Sequence, residues 1–478
     1  MQSAPSVDPL GGDLRRVGSG FQIDGFRLHE KLYVGGMATL WRVTRKDETM
    51  PMVMKIPAFE RGDPVSSLVG FEVEQMILPL LSGSHVPCFV QNGAIDAMPY
   101  MVMELIEGED LLSLLDRTPL PLDEVVATGT AVAEALHDLH HQRAVHLDIK
   151  PENIVRRPDG RMVLVDFGLA YHEDVPDLLT DHFQVPLGTG AYIAPEQILG
   201  IRNDPRSDLF ALGVLLYTLA TGERPFGYPK TRLGVRQRLW RPPTPLRRLR
   251  PELPPWFQEI VLRLIEVDPD ARRQTGGQLA FDFSLKEEIA LTERAARMKR
   301  PGLLEEIRLW RRSLSWTPRR RPGIVEALDA APIVLVAVDP SSESSDLNQH
   351  LERIVRRILL TEPLSRVVCI NVMQTAVHQD DKGTYYKRFI ELKAWAHRLK
   401  SVAERIICIV VTAETPAQAI IDYAKAHHVD HILIGASAAN KPNHLGPVAR
   451  RVVNGARCNV TIIRNNTKDE AASKFQTG

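Results

Sequence analysis

The sequence predicts a multidomain protein: an α+β domain whose strands precede its helices, then an α/β domain on an open, mostly parallel sheet. Three observations predict it. At 478 residues the chain is too long for one hydrophobic core. Strand-like segments dominate residues 21–120, and helical periodicity takes over across 121–290. After residue 330, short apolar runs alternate with amphipathic helical stretches, the pattern of parallel strands joined by crossover helices.

In chain order, residues 1–20 are rich in Gly, Ser and Pro and are expected to be a disordered lead. The α+β domain is placed at 21–290, with one early helix near 66–81. "DEVVATGTAVAEALHDLHHQ" carries apolar residues three and four apart and opens the helical part. "LFALGVLLYTLATG" (209–222) is the longest apolar stretch; it is too short to span a bilayer and reads as a core helix. Residues 291–325 are Arg-rich with few acids, a basic linker. There Leu303, Ile307, Trp310 and Leu314 share one helix face. That face suits a basic amphipathic membrane or regulatory element, or a linker helix packing Trp310 on a neighbouring domain; the second is expected. Residues 326–466 carry the strand–helix alternation, from "PIVLVAVD" through "RVVCINVM", "RIICIVV" and "HILIGAS" to "NVTIIR", and 467–478 form a tail.

Composition is that of an ordinary globular protein, 44% hydrophobic and 25% charged. The formal net charge is zero, so bulk electrostatics points to neither nucleic acid nor a membrane surface. Cys88, Cys369, Cys408 and Cys458 form no C-x-x-C pair and read as reduced thiols. The N-terminal stretch has no apolar run of the kind a signal peptide needs, and a cytoplasmic location is expected.

The chemistry concentrates in "VHLDIKPENI" (145–154), where Asp148, Lys150 and Asn153 fall at D-x-K-x-x-N inside an apolar frame. Beyond it, two apolar segments flank Pro158-Asp159-Gly160, a turn signal, so a short hairpin should return Asp166 to Asn153. An amide oxygen and a carboxylate facing one point are hard ligands of the kind magnesium takes beside nucleotide phosphates. Asp148 would then lie near an acceptor hydroxyl and Lys150 near the transferred phosphate. "LYVGGMATLWRV" (32–43) is a glycine-containing turn between strands, where backbone can approach phosphate. "PMVMKIP" is a strand carrying Lys55, and the next helix, "FEVEQMILPLL", carries Glu72 and Glu74. A buried lysine needs a carboxylate to orient it on phosphate. Glu74, three residues after Phe71 and seven before Leu81, is expected on the inner side, with Glu72 in solvent.

"GGMATLW", "VMK", Glu74, "MVMELIEGEDL", "HLDIKPEN", "DFG", "GTGAYIAPEQ", "SDLFALGVLLYTLATGERPF" and "DPDARR" together resemble, in order, the motifs of eukaryotic-type protein kinases of the Ser/Thr branch common in bacteria. The resemblance covers about 21–290 and implies a bilobal protein-kinase fold. It implies ATP and magnesium as cofactors, with manganese as an alternative. Leu32, Gly35, Gly36 and Leu40 would cover the nucleotide, and Lys55, held by Glu74, would contact its α- and β-phosphates. Met103 resembles the gatekeeper, with the backbone of Glu104 and Ile106 on adenine. Asp148 would be the catalytic base, Lys150 would neutralise the γ-phosphate, and Asn153 and Asp166 would bind metal. Thr189 would brace Asp148, Glu196 would pair with Arg272, and Asp208 would hold the catalytic loop from below. Tyr33 and Ala38 stand where the family's first and third loop glycines fall. Leu147 replaces the arginine that usually binds an activation-segment phosphate, and leucine has no donor. The loop is therefore expected to be competent but free of that control, so that phosphate at Thr180, the expected phosphosite, changes little.

Residues 331–465 resemble the universal stress protein family, through "IVLVAVDPSSES", "HILIGASA" and "LGPVARRVVNGARCNVTIIR", with Asp339 at its nucleotide-site aspartate. ATP-binding members show G-x-x-G and then Gly-Ser or Gly-Thr at a phosphate turn. Here Gly435 is followed by Ala438, and Gly446 by Pro447, which has neither hydroxyl nor N–H. The resemblance so departed from implies a regulatory or dimerising domain rather than a nucleotide site.

The expectation is a Ser/Thr protein kinase acting on protein substrates, with a stress-sensing or dimerising C-terminal domain, no nucleic-acid partner and no transmembrane segment. The rivals are a catalytically silent ATP-binding scaffold and a small-molecule phosphotransferase of kinase-like fold. The intact Lys, Asp and Asn speak against the first. The peptide-docking character of "GTGAYIAPEQ" speaks against the second.

Overall fold

The strand-like early segments form a sheet, which in the computed structural model is six-stranded. The structure describes residues 18–35, 38–57, 65–93, 99–182, 188–318, 323–329, 331–340, 346–362, 364–374, 382–399, 406–436 and 445–464. Two compact units result, one from residues up to Gly276 with Leu291–Val325, the other from Gly277–Ala290 with the chain from Glu326 on.

In the first unit the strands are β1 (Gln22–Ile23), β2 (Phe26–Val34), β3 (Ala38–Arg45), β4 (Met52–Pro57), β5 (Phe89–Asn92) and β6 (Met101–Glu104), in the order β1-β2-β3-β4-β6-β5. Neighbours are antiparallel. Met52, Met54 and Ile56 enter a core with Phe26, Leu28, Trp41 and Tyr100. The pleat therefore turns Val53 and Lys55 to the opposite face, where helix α1 (Val65–Ile77) supplies Glu74.

The helical part is built on Leu122–His141, Arg206–Thr221 and Pro255–Leu264. Every residue from Arg206 to Ala220 is buried, so the long apolar stretch forms a core helix, ended by Gly222 at φ 75°. Among the described residues no helix is long and apolar enough to cross a membrane. The Pro158-Asp159-Gly160 turn closes a hairpin of Ile154–Arg156 on Met162–Leu164.

Residues after 290 return to this unit. Glu259, fully buried, accepts from Thr292 N and Oγ1, and Arg294 reaches Glu266 at 2.7 Å. Helix Leu303–Leu314 follows. The expected burial of Trp310 is not found: Trp310 is 44% exposed, and Ile307 and Leu314 are exposed with it. The helix instead turns Leu309 and Ser313, with Trp316 beyond it, to a cavity shared with Leu262 and Ile265. Pattern alone marks an apolar face, and the half-buried Leu309 lies on the side opposite to it.

In the second unit five parallel strands run in the order Ile406–Ala413, Arg366–Gln374, Ile333–Ala337, His431–Gly435, Asn459–Ile463. Val334 and Val336 face one core, with Leu351, Val355, Leu392 and Trp395 from helices Asp346–Thr361 and Lys382–His397. Ile333 and Leu335 face the other, with Ile420, Ala424 and Val452 from helices Pro416–Ala426 and Pro447–Gly455. Phe281 joins this second core, Asp282 pairs with Arg366, and Gln278 Nε2 donates to Ala331 O at 2.8 Å. Helix Gly276–Ser284 thus begins in one unit and belongs mostly to the other. Its first residue must be glycine, because a Cβ there would lie 2.2 Å from Ala133 O.

Candidate active site

Residues 146–153 sit between the hairpin and the core helix. Asp208, in the first turn of Arg206–Thr221, is buried and accepts from His146 N (2.9 Å) and Leu147 N (2.8 Å), with His140 Nε2 also at 2.9 Å. Gln197 Nε2 donates to Leu147 O at 2.9 Å. Both backbone groups of Leu147 are thereby claimed, which holds it at φ 64°, a costly region for a residue with a side chain. Its own side chain is buried.

This backbone presents Asp148. Its Oδ1 accepts from Thr189 N (3.0 Å) and Thr189 Oγ1 (2.9 Å). Its Oδ2 accepts from Lys150 Nζ (2.7 Å) and Asn153 Nδ2 (3.1 Å). The Asp148 carboxylate raises the Lys150 ammonium above its ordinary value, against a burial that lowers it. Asn153 Nδ2 also donates to Asp148 O at 2.9 Å, so its Oδ1 is turned away from the aspartate.

Lys55 Nζ lies 2.5 Å from Glu74 Oε2 and 3.1 Å from Asp166 Oδ1. Glu74 is 1% exposed and its Oε1 accepts from Phe167 N at 3.3 Å, whereas Glu72 is half-buried with no such partner shown. Burial alone would lower Lys55, but the two carboxylates outweigh it and hold the ammonium well above its usual range. Lys55 holds Asp166 below the usual carboxylate range, while burial pushes Glu74 up. Asp166 spends Oδ1 on the lysine. The hard oxygens left over are Asp166 Oδ2 and Asn153 Oδ1, a donor set that fits a divalent cation.

Around this centre, Leu32 and Tyr33 are exposed on β2, and Leu40 is half-buried on β3 opposite Tyr33. Gly35 N donates to Ala38 O at 3.0 Å. A Cβ on Gly35 would meet the Tyr33 ring at 2.6 Å, so this glycine makes room for the tyrosine that replaces the expected one. Gly36 lies outside the described residues. Met103 is buried on β6, Glu104 Oε1 accepts from Arg157 Nη2 at 2.7 Å, and Ile106 follows on the connecting segment. Glu196 and Arg272 form a buried two-bonded pair at 2.7 and 2.8 Å.

Residues 26–281 match the protein kinase domain family. The chain belongs to the protein kinase family. The kinase is 32% identical to the serine/threonine-protein kinase PknL of Mycobacterium tuberculosis over 270 residues, covering 56% of this chain and 67% of that one. It is 30% identical to the serine/threonine-protein kinase PknA of the same organism, covering 53% of this chain and 59% of the relative. The crystal structure of the M. tuberculosis PknI kinase domain overlays at a TM-score of 0.44 and 24% identity, covering 56% of this chain and 99% of that one. Residues 332–464 of the kinase match the universal stress protein family.

Sequence reasoning missed several partners in the kinase. Arg202 donates to both oxygens of Asp177 (2.9 and 3.1 Å) and to Leu169 O and Ala170 O, just after the "DFG" aspartate. Asp177 Oδ2 also accepts from Thr180 Oγ1 at 2.6 Å. Arg238 donates to Gly190 O and Ile193 O. No motif marks these residues, and nothing in the sequence pairs them.

In the stress-protein domain the kinase has a cavity of about 540 Å³ at the carboxyl ends of the strands, lined by Asp339, Asn348, Asn371, Arg388 and Gly435 among others. Arg388 Nη1 lies 3.4 Å from Asp339 Oδ1. Gly446 opens helix Pro447–Gly455 with no side-chain cap, and the proline removes the first N–H. Ala438 lies outside the described residues.

Proposed function

We propose that the kinase transfers the γ-phosphate of ATP to serine or threonine hydroxyls of protein substrates, using Asp148 as base. The observation that carries this is the division of labour on the Asp148 carboxylate. One oxygen is braced by the Thr189 backbone and hydroxyl, and the other is shared by Lys150 and Asn153. Such an aspartate is preorganised to accept a hydroxyl hydrogen and orient the oxygen for in-line attack. Lys150, charged beside it, offsets charge on the transferring group. Lys55, oriented by Glu74, would hold the α- and β-phosphates, and Asn153 and Asp166 would hold magnesium, with manganese as the alternative. When bound, that ion neutralises phosphate charge.

Met103, Glu104 and Ile106 would meet adenine, with Leu32, Gly35, Gly36 and Leu40 over the nucleotide. The C-terminal domain would serve as a regulatory or dimerising module, and the chain would work in the cytoplasm. Incubating the full chain with labelled ATP, magnesium and a generic protein substrate tests the central claim. Label on phosphoserine or phosphothreonine is expected. Absence of label, with ATP still bound, would instead establish the silent scaffold.

A further inference from the structure

Four arginines gather around one cavity beside the segment that braces Asp148. The cavity is about 270 Å³ and is walled by Arg224, Arg238, Arg241 and Arg300, together with Phe226, Gln237 and Pro242. Like charges at close quarters repel, and each guanidinium carries five donors and no acceptor. Among the described residues none of the four has a carboxylate partner shown, although the chain as a whole has equal numbers of acids and bases.

Arg238 is 2% exposed. Its bonds go to backbone carbonyls, those of Gly190, Ile193 and Val235, and its guanidinium lies 5.0 Å from the Phe226 ring. Arg224 stacks at 4.0 Å on the exposed Tyr228 and at 5.6 Å on Tyr192. Burial pushes Arg238 down to about 10, still charged at neutral pH. A buried cation lacking a counter-charge is costly, and an anion entering the cavity would offset that cost.

The cavity's position says whose anion. Arg238 holds the carbonyls of Gly190 and Ile193, and Arg224 covers Tyr192; all three belong to the segment whose Thr189 bonds Asp148 Oδ1. A molecule filling the cavity while its hydroxyl faces Asp148 must run along this segment, as an extended peptide does.

We propose that the cavity receives an anionic side chain of the protein substrate, near in sequence to the acceptor hydroxyl. The substrate class is thus acidic or already phosphorylated protein segments. This rests on the protein-kinase reading above. Planar guanidinium forks suit both carboxylate and phosphate, with phosphate offering more acceptors. Arg300 comes from the segment after residue 290, so substrate preference depends on that segment as well.

The test uses the full chain and peptides with one serine in a neutral background, carrying Asp, phosphothreonine, Ala or Lys at each neighbouring position in turn. At one position, Asp should raise kcat/KM about tenfold over Ala, mainly through KM, and phosphothreonine more, as expected for charge-assisted hydrogen bonds. Lys there should lower it. In the Arg241→Gln/Arg300→Gln variant, both arginines being at the exposed rim, the acidic-to-neutral ratio within that protein should fall to near one. No preference at any position, or a preference the variant keeps, overturns the proposal. Should no peptide be phosphorylated, the kinase reading has failed. Fluorescence anisotropy of the labelled phosphothreonine peptides on wild type and variant then decides the cavity separately, with equal affinities overturning it.

Discussion

Two carboxylates in this site are surrounded differently, and each environment sets a test. As the proposed base Asp148 would accept a hydrogen, and both its oxygens are already oriented by neighbours. Asp148→Asn keeps the shape but not the basicity, and should lower phosphotransfer by about 10²–10⁴ with folding intact. Activity within about threefold of wild type (roughly 0.65 kcal/mol of barrier) would remove Asp148 from that role. Glu74 is instead buried and bonded to Lys55 and Phe167 N. Lys55→Met should sharply cut activity, Glu74→Gln somewhat less, and Glu72→Gln little, in the same rate assay. Greater damage from Glu72→Gln would mean the wrong carboxylate holds the lysine. Because Lys55 is raised above its ordinary 10.5, its contribution is fully present below that value and is lost only as pH rises through the higher folded value. ATP affinity should therefore not weaken as pH approaches 10.5. Weakening well below it would place another group in control.

Among the elements, the activation segment is held without the arginine that Leu147 displaces. Arg202 ties Asp177 to the backbone after Asp166, and Asp177 in turn accepts from Thr180. A carboxylate thus already occupies the arginine that a phosphate at Thr180 would seek. Thr180→Ala and phosphatase treatment should leave initial rates near wild type, while Arg202→Gln should lower them by roughly an order of magnitude. Silencing by phosphatase alone would show that phosphate, not Asp177, orders the segment. The Glu196–Arg272 pair fastens the other end and is wholly buried. Arg272→Ala leaves a carboxylate buried without its partner and should cost about 3–5 kcal/mol in urea unfolding.

At the scale of the molecule, the units do not follow the chain in simple succession. Thr292 and Arg294 satisfy the buried Glu259, and the carbonyls of Arg294, Ala295 and Arg297 accept from Gln258. A chain ended at residue 290 should therefore melt well below one ended at 325, as judged by calorimetry. Equal melting would mean the returning segment adds no stability. Conversely, Asp282 pairs with Arg366 inside the C-terminal unit. Asp282→Ala leaves that guanidinium nearly buried and unpaired, and should lower the transition of the C-terminal unit alone. Titration of the full chain with ATP should give one site per chain, because Pro447 removes a donor where the stress-protein fold would meet phosphate. A second site of micromolar affinity would overturn this.

The family and the two-domain composition were legible in the sequence, and so was the gathering of the residues proposed to carry the chemistry. Asp148, Lys150, Asn153 and Asp166 lie within short motifs, and the Pro158-Asp159-Gly160 turn by itself implies their convergence. The parallel sheet was equally legible, since buried strands and amphipathic helices have periods that show in one dimension. What the tertiary structure decided has no period. Arg202 with Asp177, Arg238 with Gly190, and Gln197 with Leu147 join residues far apart in sequence through one bond geometry each. The exposure of Trp310 and the packing of Phe281 in the second core were decided in the same way. A sequence marks which faces are apolar and which side chains are charged, but a partner is chosen only when the folded backbone brings it within reach.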